Sequence, residues 1–327
     1  MSLPKAAFTA RAAVAVVAFA FTVCLATPPA IAQTRTIRIV APYTPGSGPD
    51  ILSRLMAEQI GRNQGPQVVV ENRPGGGTLV GTEMVARAEP DGNTVLLAGS
   101  SFAVNPALKR GSEDLMASFA PVCYLASTPM VMVVKADSPY RTLDDLLSAA
   151  RAKPGELSLA SGGPGSSLHV SFEVVKRAAK VEMTYVPFGG TAPSINALMG
   201  GHVTTVFADY PTVVSQLKAG TLRGLVTTSP ERVAPLPDVP TLRETGLSND
   251  DAEIFYGIVA PAKTPPDALG QLSGWFLAAL KAPEMAPKLA AQGLFPVGAC
   301  GAPFGAFLDK MVGDYKRIVA EANIKAE

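Results

Sequence analysis

Short runs of aliphatic and β-branched residues alternate along the chain with stretches whose apolar positions recur every three to four residues. Runs at 36–42, 67–71, 94–98, 121–126, 130–134, 157–160, 182–186, 204–208, 222–227 and 253–259 read as strands. Several are near-continuous Val, Ile and Leu, the pattern of strands covered on both faces. Between them, Ile51, Leu52, Leu55, Met56 and Ile60 form one face of a helix opened by Pro49, and Thr142 with Asp145 makes a capping box ahead of Leu146 and Leu147. The longest stripe runs through Phe304, Phe307, Leu308, Met311, Val312, Tyr315, Ile318 and Val319, and its spacing predicts core rather than a cofactor face. Alternation of this kind predicts an α/β protein with largely parallel sheets. Proline-rich punctuation at Thr128-Pro129 and at 229–240 marks two domain crossings. The expected domains are residues 33–128 together with 231–327, and residues 129–230.

The first 32 residues read differently. Lys5 and Arg11 precede an apolar run of about 15 residues, too short to span a bilayer, and Ala30-Ile31-Ala32 is a small-x-small cleavage site. A signal peptide cleaved before Gln33 is expected, hence a periplasmic protein; the alternative is an uncleaved anchor. Val23 before Cys24 argues against lipidation. The leader carries basic but no acidic residues, so the 28 basic and 27 acidic side chains of the whole chain leave a nearly balanced mature protein. That excludes a strongly basic field for nucleic acid. Cys123 and Cys300 remain after cleavage. An oxidising compartment permits a bond between them, while the apolar setting of each also suits a buried thiol. No cluster has metal-ligand spacing, and no metal or cofactor is expected.

Four loops carry the candidate chemistry. Pro42-Tyr43-Thr44-Pro45-Gly46-Ser47-Gly48-Pro49-Asp50 and Ser161-Gly162-Gly163-Pro164-Gly165-Ser166-Ser167-Leu168-His169 both join a strand to a helix, are glycine-rich, and lack Lys and Arg. Such a turn brings backbone close to a ligand, and the following helix start offers unpaired N–H groups to an anion. Each is also explicable as an ordinary turn; two in different halves of the chain are more telling. Ser100, Ser101 and Phe102 follow a third strand. Phe188 and Gly189 open a fourth region, with Asp209 either capping the next helix or pairing with a ligand ammonium. Four charge-assisted bonds would contribute roughly 6–12 kcal/mol, against association costs of about 4 kcal/mol or more. Apolar burial or domain closure must therefore add to them.

Signatures of catalysis are missing: no GxSxG, GxxxxGK[ST] or HExxH occurs. Ser166, His169 and Asp209 form an imaginable triad, but His169 three residues after Ser166 is better placed to bond its own loop.

At these loops the chain resembles the substrate-binding proteins of tripartite tricarboxylate transporters, the Bug receptors. The markers run in order from Ile39-Val40-Ala41-Pro42-Tyr43 and the glycines after it, through Val69-Val70-Glu71-Asn72-Arg73-Pro74-Gly75-Gly76-Gly77, Pro90-Asp91-Gly92 and the loop ending at His169. They end with Leu236-Pro237-Asp238-Val239-Pro240-Thr241 and Ala260-Pro261-Ala262-Lys263-Thr264-Pro265. The resemblance implies a Venus-flytrap fold of two α/β domains, a small carboxylate held between them largely by backbone amides of residues 43–50 and 163–169, and delivery by a monomeric receptor to a two-component membrane permease. A di- or tricarboxylate, an aromatic carboxylate or an acidic amino acid falls within that class. Alternatives are a periplasmic hydrolase or transferase on the same fold and a sensor subunit that presents its ligand. Several positions depart from the family pattern: Thr44, Ser47, Pro164, Phe188-Gly189-Gly190, Thr204 and Ala208-Asp209. If Tyr43, Phe102, Phe188 and Tyr210 face the cleft, an aromatic or medium-chain dicarboxylate is expected rather than citrate; the alternative is that two or more of these rings pack in the core.

Overall fold

A computed structural model describes residues 35–63, 65–109, 115–247, 253–321 and 323–324; the expected signal peptide lies outside them. The chain starts one sheet with β1 (Thr36–Ala41), β2 (Gln67–Asn72), β3 (Thr94–Gly99) and β4 (Phe119–Thr128). It crosses at Pro129 into a second sheet of β5 (Met130–Lys135), β6 (Ser158–Ala160), β7 (Thr184–Tyr185), β8 (Thr205–Asp209) and β9 (Leu222–Thr227), then returns as β10 (Ile254–Pro261) and β11 (Phe295–Cys300). The spatial orders are β11-β4-β10-β3-β1-β2 and β7-β6-β8-β5-β9.

Both sheets are mixed, which corrects the expectation of largely parallel ones. β1 runs parallel to β2 and β3, and β6 parallel to β7 and β8. By contrast β10 is antiparallel to β3 and β4, and β5 antiparallel to β8 and β9. A strand buried on both faces is equally apolar in either direction, so its pattern does not encode orientation. Edge strand β11 has no counterpart among the predicted strands. Its first three residues are exposed, and Pro296 and Gly298 break the β signature.

The helices are α1 (Gly48–Arg62), α2 (Leu79–Ala86), α3 (Ser100–Ala107), α4 (Leu143–Ala152), α5 (Ser167–Ala179), α6 (Thr191–Met199), α7 (Tyr210–Lys218), α8 (Pro266–Lys281), α9 (Met285–Ala291) and α10 (Ala302–Glu321). On one face of the first sheet, Leu52 and Met56 of α1 and Leu272 and Phe276 of α8 join Ile37 and Ile39 in a buried cluster. On the other face α10 buries Phe304, Leu308, Tyr315 and Val319 beside Phe255, with Phe307, Met311, Val312 and Ile318 partly buried around them. The predicted stripe is core. A β-carbon at Gly257 would lie 2.3 Å from the Phe304 ring, so β10 carries glycine where that ring presses on it. The second sheet is likewise covered twice, by Leu146 and Phe172 on one side and by Ile195 and Val213 on the other.

Two sequence features gain a definite form. Cys123 and Cys300, aligned on β4 and β11, are joined by a disulfide. The capping box at α4 is complete: Thr142 Oγ1 accepts from Asp145 N at 3.1 Å, and Asp145 Oδ2 accepts from Thr142 N at 2.9 Å. Thr142→Ala is expected to lower stability by about 1 kcal/mol, seen as a lower urea midpoint with an unchanged slope.

Candidate ligand site

Residues that follow β1, β3 and β6, together with the end of β8, line one cavity of about 120 Å³. Strand ends are where open α/β sheets place ligands, because each hands over to a helix whose first N–H groups lack intrahelical partners. Of the residues expected from sequence, Tyr43, Thr44 and Ser47, Ser100 and Ser101, Gly163, Ser166 and Ser167, Phe188 and Gly189, and Asp209 line this cavity. Gly46, Gly48, Asp50, Phe102, Gly165 and His169 stand behind it.

Each of those six has another occupation. Asp50 is buried and accepts from Gly46 N at 2.9 Å, Asn72 Nδ2 at 2.9 Å and Arg54 Nε at 3.0 Å, which shapes the first loop. Gly48 N donates to Asp209 Oδ2 at 2.9 Å, from α1 to the end of β8. Phe102 is packed edge-on against Phe119 in the core. Gly165 N donates to His169 Nδ1 at 3.2 Å, and the imidazole stacks on Tyr185. Ser166 Oγ accepts from His169 N and so caps α5. The imidazole thus bonds its own loop, and the imagined Ser–His–acid triad does not assemble. Of the four expected aromatic rings, Tyr43 and Phe188 face the cavity, whereas Phe102 and Tyr210 are core, each 1% exposed.

Backbone nitrogens in the two glycine-rich loops are largely engaged. Gly46 N, Ser47 N and Gly48 N serve Asp50, Thr44 O and Asp209, and Ser166 N serves Gly163 O. Ser167 N donates to Ser101 Oγ at 3.1 Å, a second bond between segments of the two sheets. Further donors come from another loop. Pro74-Gly75-Gly76-Gly77-Thr78 lines the cavity, and the N–H groups of Gly76 and Gly77, at the start of a short 3-10 turn, lack an intrahelical partner. Gly75, Gly76 and Gly77 have φ of 131°, 59° and 62°, and Thr78 follows at 83°, which explains a triple glycine that sequence reasoning read only as a family marker. Gly190 and Thr191 of the fourth candidate loop also line the cavity, whereas Ile254 and Tyr256 were missed; Tyr256 comes from a returning antiparallel strand that carries no loop signal. The buried Thr44 Oγ1 has no hydrogen-bond partner and lies at the Gly190 contact.

Asp209 occupies the N-cap position of α7, yet its side chain makes no capping bond, correcting that expectation. It accepts instead from Gly48 N and from Thr212 Oγ1 at 2.7 Å, with Thr191 and Tyr256 also bonded to it. Burial pushes its carboxyl above the ordinary value. Burial first, then the nearby Asp209, raises Tyr43 and Tyr256, so both keep their hydroxyl protons at ordinary pH. For Asp50, burial opposes the charge, but Arg54, Gly46 N–H and Asn72 outweigh it and hold the carboxyl low. Its folded pKa therefore lies under the unfolded value of about 3.9, and its stabilisation is lost as pH falls through the folded value. Asp50→Asn is expected to flatten the acid limb of stability against pH, measured by urea unfolding from neutral pH down to about pH 3.

A larger hollow, about 570 Å³, lies between α5 and α10, with Val174, Phe307 and Met311 beside a Lys310–Asp314 ion pair. It is lined mainly by the side chains of those two helices, with Thr228 and Pro230 after β9 at its rim. Among the described residues no His, Cys, Asp and Glu group suits a metal, and no helix is long and apolar enough to cross a membrane.

Residues 52–324 match the family described as tripartite tricarboxylate transporter family receptor. The chain belongs to that family. The receptor is 34% identical over 275 residues to the protein of the tcbD–tcbE intergenic region of Pseudomonas sp. (strain P51), covering 83% of this chain and 80% of that one. It also superposes on a solved periplasmic transporter with a TM-score of 0.86 at 31% identity, covering 90% of this chain and 100% of the other. Rpa4515 of R. palustris, solved with adipate, gives a TM-score of 0.85 at 28% identity, with 90% and 99% covered. The fold is that of two-sheet periplasmic binding proteins, and the chain is a solute-binding receptor rather than an enzyme.

Proposed function

We propose that this receptor is exported to the periplasm by a cleaved leader ending at Ala32 and captures a small carboxylate between two lobes, residues 33–128 with 231–327 and residues 129–230. It then delivers that acid, as a monomer, to a two-component membrane permease. The observation that carries this reading is the cavity itself: strand-end loops from both sheets converge on it and present hydroxyls and peptide groups without a basic side chain. Its carboxylate contacts are drawn from Thr44, Ser47, Ser100, Ser101, Gly163, Ser166 and Ser167. The first N–H groups of the turn at Gly76 and Gly77 join them, an arm the resemblance did not single out. The adipate held by Rpa4515 supports the chemical class. The Cys123–Cys300 bond suits an oxidising compartment.

Thermal-shift screening of the mature chain against mono- and dicarboxylates tests this directly, because a ligand that prefers the folded state raises the melting temperature. Stabilisation by acids is expected; hits confined to sugars or cations would refute the proposal.

A further inference from the structure

The loop that opens α5 is held from behind by one imidazole. This inference rests on the function proposed above and deepens it. Gly163, Pro164, Ser166 and Ser167 line the cavity, and Gly165 stands behind them. Its N–H donates to His169 Nδ1 at 3.2 Å, while the backbone N–H of His169 donates to Ser166 Oγ at 3.2 Å. The start of the loop is fastened separately: Ser161 Oγ lies 3.2 Å from the Tyr185 hydroxyl, and Ser161 O accepts from Ser194 Oγ at 2.6 Å. Between these anchors Gly163 and Gly165 have φ of 107° and 69°. Glycine leaves such a segment free to turn, so its shape depends on the bond that Gly165 makes.

A peptide N–H can only donate, so the nitrogen that receives it must be an acceptor. That requires a neutral imidazole with its proton on Nε2, the nitrogen that faces Glu173 Oε1 at 4.0 Å. A second proton would make Nδ1 a donor as well. Two N–H groups would then point at each other, and Gly165 would have to turn aside, carrying Pro164 and Ser166 with it. The titratable groups facing the ring are Glu173, itself paired with Lys176 at 2.9 Å, and Tyr185, stacked with ring centroids 4.1 Å apart. Histidine is the side chain whose charge ordinarily changes between about pH 5 and 8.

We propose that neutral His169 is the positioning residue that keeps the glycine- and serine-rich loop in its ligand-binding shape, so that proton uptake by its ring loosens the loop and weakens carboxylate capture.

Two measurements on the mature receptor test this. Proton–nitrogen correlation spectra of the isotopically labelled chain report on the ring nitrogens of His169 and exposed His202. At about pH 7.5 the His169 signal, identified by its loss in His169→Asn, is expected to show a bare Nδ1 and a protonated Nε2. A neutral ring with its proton on Nδ1 overturns the inference. Isothermal titration with succinate, malate, adipate and benzoate then follows the tightest binder from about pH 7.5 to about pH 5.5. Affinity is expected to fall about tenfold more in the unmodified receptor than in His169→Asn, with the midpoint of proton uptake by the ring. Asparagine offers Gly165 an oxygen acceptor and does not titrate, and protonation of the acid itself is common to both proteins. His169→Phe, which keeps a ring against Tyr185 without an acceptor, is expected to bind about tenfold more weakly at the higher pH. Affinity that holds while the ring takes up its proton overturns the inference, as does an equal fall in a folded His169→Asn. Tautomer and shared midpoint are read on the unmodified receptor, so they decide the matter even where a variant folds poorly. Affinity indifferent to the ring's charge sinks this inference and leaves the proposed function standing, whereas silence toward all four acids at every pH sinks both.

Discussion

Gly48→Ala is expected to weaken ligand binding by about tenfold to a hundredfold while the chain remains folded. Gly48 opens α1 with no positive φ, so alanine suits its backbone and the local cost is small. The obstacle is across the cleft. Besides its 2.1 Å approach to Asp209, the added carbon would stand 3.1 Å from both Pro211 Cβ and the Tyr256 hydroxyl. The bond from Gly48 N to Asp209 would break, and leaving a buried partner unsatisfied costs roughly 1–3 kcal/mol. Titration with whichever acid gives the largest thermal shift measures the loss. Small-angle scattering should show a larger radius of gyration for the variant than for the parent. Unchanged affinity together with unchanged compactness would show that the contact does not govern closure.

Removing the disulfide by Cys123→Ala with Cys300→Ala is expected to cost about 2–5 kcal/mol of unfolding free energy. The bond spans 177 residues of sequence, so it restricts a long loop of the unfolded chain, the case in which loop-closure entropy is greatest. It also ties β11, an edge strand with exposed Phe295 and Val297, to the fully buried end of β4. Urea unfolding with and without reductant, on both the parent and the double variant, measures the difference. Reductant should lower the parent's midpoint and leave the variant's alone. A variant as stable as the parent would show that sheet pairing alone holds β11.

How much was legible beforehand follows from the range of each signal. The ten strand segments, the α10 stripe and the α4 cap were readable because each depends on residues a few positions apart. The same holds for the glycine-rich loops after β1 and β6, whose composition marks a turn wherever it occurs. Ser101 and Ser167 were singled out from separate loops, yet their bond to each other was not foreseen. Whether Phe102 and Tyr210 line the cleft or the core stayed open because an aromatic residue just past a strand end can face either, and only the packing of neighbouring helices decides. The triple glycine before Thr78 was visible, but its place beside the other loops was not.

Local pattern thus determined which segments are strands and helices, which helix face is buried, and that two basic-free turns sit at strand ends. Packing decided the direction of β5 and β10, the presence of β11, the Cys123–Cys300 bond and the role of Asp209, whose partner Gly48 lies 161 residues away. Periodicity and turn chemistry are properties of neighbours along the chain. A contact between distant segments exists only once the sheets have assembled and burial has chosen which polar groups meet.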